Sequence, residues 1–141
     1  MDEPVVYVST LRIKEGKFED YRRFYARMLE AIRERDRGVV AFYAFANDDG
    51  TEITNVHVYP DRPTLDLHMQ LLAEQMGLLP GDLTSVYAFM EPIGVQVYGS
   101  PSGQAAAMDQ GLRDDGVPFT SKARYLGGFS LADRGAGTTS G

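Results

Sequence analysis

The sequence predicts an α+β fold: a ferredoxin-like split βαβ arrangement, β-α-β-β-α-β, with an antiparallel sheet. Three observations lead to it. Several short segments alternate in the period-two manner of half-buried strands, beginning with Val5–Ile13. Two longer segments carry apolar residues at helical spacing, and each follows a strand. Between the second and third strands lies Asn47-Asp48-Asp49-Gly50, a hairpin signal because these residues tolerate positive φ.

In order, Val5–Ile13 is the first strand and Glu15-Gly16 the turn after it. From Lys17 to about Asp36, Phe18, Tyr21, Tyr25, Met28 and Ile32 form one apolar stripe on a densely charged helix, which Gly38 stops. The arginines there, interleaved with Glu30, Glu34 and Asp36, read as a solvated face laced with ion pairs. Val39–Ala46 and Thr51–Tyr59 are the hairpin strands. Asp61 is placed to cap a second helix, with Pro63 in its first turn; Leu65, Met69, Leu72 and Met76 are its stripe and His68 the stripe's edge. Pro80-Gly81 breaks the chain. Ser85–Tyr98 is the fourth strand, kinked or bulged around Glu91-Pro92 because proline donates no ladder hydrogen bond.

Residues 1–98 thus make one domain. Residues 99–132 add a short helix and an extended, aromatic-bearing arm, which either swaps onto a partner or covers its own pocket. Residues 133–141, rich in Gly, Thr and Ser, are expected to be a disordered tail. The strands are apolar on both faces, Phe42 and Ala44 as well as Tyr43 and Phe45. The helices cover one face; a second subunit is the economical cover for the other, so a homodimer packed sheet to sheet is expected.

The composition narrows the function. The chain has 141 residues, 43% of them hydrophobic, and no cysteine, which excludes thiolate nucleophiles and cysteine-ligated metals. A formal charge of −6 argues against a nucleic-acid partner. No apolar run suggests a membrane partner, and Met-Asp-Glu-Pro is no signal sequence, so the cytoplasm is the expected location.

Candidate chemistry concentrates in Asn55-Val56-His57-Val58-Tyr59-Pro60-Asp61 and the Leu65 to His68 turn beyond it, which hold both histidines of the chain. Alternation puts Asn55, His57 and Tyr59 on one strand face, with His68 on the helix above. An amide, a phenol and two imidazoles suit a pocket for a small aromatic molecule, and an imidazole is the natural base near neutral pH. Tyr43 and Phe45 are placed to stack on a planar ligand, with Tyr7, Leu65 and Leu72 as further lining. Asp66, two residues from His68, is turned away from it on a helix, so no metal site is expected.

This layout, with the run from Thr54 through Tyr59 into Leu65 and His68, resembles the antibiotic-biosynthesis-monooxygenase-like family of the dimeric α+β barrel superfamily over residues 4–98. The continuation Val95-Gln-Val-Tyr-Gly-Ser-Pro-Ser, with Gly127-Gly-Phe, resembles an actinobacterial-type branch. The resemblance implies a small enzyme that oxidises phenolic, polyketide-like aromatics with dioxygen and no cofactor, forming quinones. It implies a pocket Asn at Asn55; the family's indole four residues on is Tyr59 here, and its pocket tyrosine is Leu65. Haem-degrading relatives carry an axial histidine where this chain has Leu78, which excludes that activity. Polyketide cyclases of the same barrel pair histidine and tyrosine, and His57, His68 and Tyr59 fit that alternative. A non-catalytic ligand-binding dimer is the third possibility.

Overall fold

The structure, a computed structural model, describes residues 3–35, 41–78 and 89–130, with backbone alone for residues 35 and 72–78. In chain order the elements are β1 (Val5–Ile13), α1 (Phe18–Arg35), β2 (Ala41–Ala46), β3 (Glu52–Tyr59), α2 (Arg62–Leu78), β4 (Met90–Tyr98), α3 (Gly103–Asp114) and β5 (Phe119–Lys122). This is the expected β-α-β-β-α-β core with a βα unit appended. The expected helix stop at Gly38, the Pro80-Gly81 break, the strand start at Ser85 and the 133–141 tail lie outside the described residues.

The sheet runs β2-β3-β1-β4-β5. Its first four strands are antiparallel, as expected, but β5 pairs with β4 in parallel, so the whole sheet is mixed. The cause is α3: a helical crossover returns the chain to the same end of the sheet, which makes the next strand parallel. In β4 the pairing slips where Thr10 faces Gly94 and Leu11 faces Pro92, which leaves Ile93 bulged beside the proline.

Local chemistry explains the joints. Asp61 Oδ1 accepts the Thr64 N–H at 2.7 Å and caps α2. Asn47 Oδ1 accepts the Glu52 N–H at 3.0 Å, and Gly50 takes φ +70 in the hairpin turn. On α1 the ion pairs Arg22–Glu19 and Arg23–Asp20 are three residues apart and exposed.

Tyr7 faces His57 across the β1–β3 ladder and His57 faces Phe42 across β2–β3, so all three point to one side of the sheet. That side carries the helices and two packed clusters. One is Val5, Tyr7, Tyr59, Leu65, Val95, Val97 and Ala105; the other is Leu11, Ile13, Tyr21, Tyr25 and Ile53. Phe42 packs against both. The opposite side holds half-buried Val6, Val8, Val56 and Val58 with exposed Tyr43 and Phe45. Beyond β5, residues 123–130 run without regular structure, and Leu126 and Phe129 are exposed.

Candidate functional site

Strand alternation delivers Asn55, His57 and Tyr59 to the helix-covered face, and the cap at Asp61 starts α2 so that Leu65 and His68 come down over them. The His68 ring lies 5.2 Å from Tyr59 and 5.6 Å from Phe42, centroid to centroid. His68 is 3% exposed, at the centre of the buried stripe rather than its edge, and Met69 is the more exposed of the two. Packing against Phe42 and Tyr59 places His68 there, which helical spacing alone does not show.

Phe42 stacks on His57 with ring centroids 3.4 Å apart and planes 9° from parallel. Nε2 of His57 is sealed from solvent and has no hydrogen-bond partner among the described residues. Loss of hydration, with the neighbouring His68 adding to it, pushes the His57 pKa down to about 3. His57 is therefore neutral at physiological pH and a weak base in this packing. Asn55 is held by one long bond, Nδ2 donating to the Tyr21 hydroxyl at 3.4 Å, while its Oδ1 is buried and unpartnered among the described residues. The Tyr25 hydroxyl is in the same condition. Burial raises the pKa values of both tyrosines, so they stay phenols.

Beside this cluster, between α1 and β2, runs an apolar groove of about 430 Å³ lined by Tyr21, Tyr25, Leu29 and Phe42 among others. Tyr21, Tyr25 and Phe42 form the wall between groove and cluster: Tyr21 bonds Asn55, and Phe42 covers His57. From the sequence these three are core residues only. The contiguous aromatic spacing Tyr21, Phe24, Tyr25 on one helix facing a strand aromatic is the signal that marks such a wall.

The other expected contacts divide. Leu65 is fully buried beside Tyr7 and Tyr59 as core, and no hydroxyl stands at that position. Tyr43 and Phe45 border the groove, but their register with Val56 and Thr54 puts their side chains on the face away from His57. The pleat separates them, since neighbouring positions on a strand face opposite ways. Leu72 belongs to the part of α2 described by backbone alone. Tyr7 stands edge-on to Tyr59, with centroids 6.4 Å apart, and its hydroxyl donates to Asp109 Oδ2 at 2.9 Å. Asp109, on α3, escaped the sequence analysis; its signal is an acid four residues after Ala105 on the apolar side of a helix. Among the described residues no three His, Asp or Glu side chains group as metal ligands, and no helix is long and apolar enough to cross a membrane.

No curated protein sequence matches this chain. Among solved structures, MupZ from Pseudomonas fluorescens superposes with a TM-score of 0.62 at 17% identity, covering 91% of each chain. SnoaB from Streptomyces nogalater, a cofactor-independent oxygenase, does so with a TM-score of 0.51 at 18% identity, covering 74% of this chain and 98% of its own. At such identities the likeness establishes the α+β fold. The sequence from residue 4 to residue 73, which builds β1 into α2 and carries every candidate site residue named from the sequence, matches the antibiotic biosynthesis monooxygenase family.

Proposed function

We propose that the protein is a small cofactor-independent monooxygenase of an actinobacterial-type branch, converting a phenolic, polyketide-like aromatic to a quinone. What carries the reading is the pairing of an apolar groove with a buried polar cluster behind one aromatic wall, where Asn55 Oδ1, His57 Nε2 and the Tyr25 hydroxyl lack partners among the described residues. Unmatched buried polar atoms are costly, and a ligand's hydroxyls would satisfy them. The family match and the description of SnoaB as a cofactor-independent oxygenase lend support.

In this mechanism the ring system lies in the groove and Phe42 swings off His57 to admit its polar edge. His68 is the base that takes the substrate proton, and His57 joins it once rehydrated. The amide of Asn55 and the hydroxyl of Tyr59 hydrogen-bond the resulting oxyanion. The carbanion form of the substrate gives its electrons to dioxygen and a carbon–oxygen bond forms; the peroxide then loses water to leave the carbonyl. One methylene plus dioxygen gives one carbonyl plus water, so the substrate is its own reductant. Tyr43, Phe45, Val6, Val8, Val56 and Val58 pack against a second copy of the chain, and the 123–130 arm crosses to it.

The test is oxygen uptake with a dihydroxylated anthrone, followed by mass spectrometry. Stoichiometric uptake with anthraquinone formation, lost in His68→Gln, is expected; turnover unchanged by His68→Gln refutes the mechanism. Burial of Leu65 where the resemblance expects a tyrosine favours a second reading, a cyclase or isomerase working through an enolate on the same groups. It predicts product without oxygen uptake.

A further inference from the structure

α3 buries two residues, Ala105 and Asp109, one helical turn apart on the same side. Ala105 belongs to the cluster of Tyr7, Tyr59, Leu65 and Val97. A small apolar side chain docks the helix there at little cost, whereas a carboxyl group loses its hydration. Asp109 is 3% exposed and its Oδ2 accepts from the Tyr7 hydroxyl at 2.9 Å; its Oδ1 is sealed and unpartnered among the described residues. The Tyr7 phenol therefore has its proton committed to α3. The Tyr7 and Tyr59 rings meet edge to face, the Tyr59 and His68 rings lie 5.2 Å apart with their planes tilted by 47°, and Tyr7 stands opposite His57 in the ladder. One acid outside the 4–73 family match is thus linked, through a single phenol, to the elements bearing both imidazoles.

We propose that Asp109 is a positioning residue for the pocket, holding the Tyr7 ring and, through it, the Tyr59–His68 pair in their working orientation. The proposal rests on the functional reading above for its consequence in turnover, but not for its geometry. A docking acid alone would make α3 a brace whose loss lowers stability and leaves the pocket as it was. A positioning acid makes the pocket depend on an acceptor at position 109, and only while Tyr7 can donate to it.

The test uses the full chain and follows its two histidines by NMR, through their imidazole proton–nitrogen cross-peaks at fixed pH. Asp109→Ala should displace the His68 cross-peak and lower kcat/KM on the dihydroxylated anthrone about tenfold, the scale of one buried charge-assisted hydrogen bond. Asp109→Asn keeps an acceptor for Tyr7 and should return the cross-peak to its parental position. In a Tyr7→Phe background, Asp109→Ala should add nothing further at either imidazole. Parental cross-peaks in Asp109→Ala, or an equal displacement with Tyr7 already replaced, overturns the proposal. Should Asp109→Ala not fold, the decision falls to Asp109→Asn and Tyr7→Phe: a displacement in Tyr7→Phe with parental peaks in Asp109→Asn upholds it, and any other pattern overturns it. A parent that oxidises no anthrone refutes the oxygenase reading alone, since the NMR comparison needs no substrate.

Discussion

Acidification tests the packing around His57 most directly. The folded protein holds this imidazole neutral down to a pKa of about 3, while an unfolded chain protonates it near its ordinary value of about 6.5. Between those values the unfolded state binds the extra proton, so stability falls as pH falls. One such group integrated from about pH 7.5 to about pH 5.0 costs about 2 kcal/mol, and the full slope below that is about 1.4 kcal/mol per pH unit. Burial raises the proton affinity of Asp109, which acts with the opposite sign, so the measurement must be a difference. Urea unfolding of the parent and of His57→Gln at matched pH values supplies it, since every other group cancels. The parent should lose about 2 kcal/mol relative to the variant over that range. NMR titration should find one of the two imidazoles unprotonated at pH values where ordinary histidines are charged. Equal pH dependence in the two proteins, or both imidazoles titrating at the ordinary value, would show that His57 is hydrated in solution. The Phe42 stack, and the wall it forms, would then be wrong.

Two further perturbations bear on the wall and on the frame. Phe42→Ala removes the ring over His57 and joins the groove to the polar cluster; it should cost about 2–4 kcal/mol in urea unfolding and return the His57 pKa towards its free value, and an unmoved pKa refutes the wall. Gly99 takes φ +101 and a Cβ there would stand 2.6 Å from the Pro4 carbonyl oxygen, so Gly99→Ala should destabilise by more than about 2 kcal/mol. Gly111→Ala, in a helix with nothing near its Cβ, should instead stabilise by about 0.5–1 kcal/mol, and equal effects at the two glycines would contradict the β4 exit geometry.

Much was legible in the sequence because it was local. Alternation from Val5 to Ile13, the Asn47–Gly50 turn, the cap at Asp61 and the break in pairing beside Pro92 each depend on contacts within a few residues or on one side chain's own constraints, and β1, the hairpin, the start of α2 and the end of β4 appear where those signals put them. Alternation also sufficed to gather Asn55, His57 and Tyr59 on one face. What tertiary structure decided was who meets them. Phe42 stacks on His57 because β2 pairs with β3 in a register that only the packed sheet selects, and the same register turns Tyr43 and Phe45 to the other side. Asp109 reaches Tyr7 from 102 residues away because α3 crosses back over the sheet, and that crossover makes β5 parallel. Periodicity along a chain specifies which side of an element is apolar; which element covers it, and whether a buried nitrogen finds water or a ring, is a property of the assembled layers.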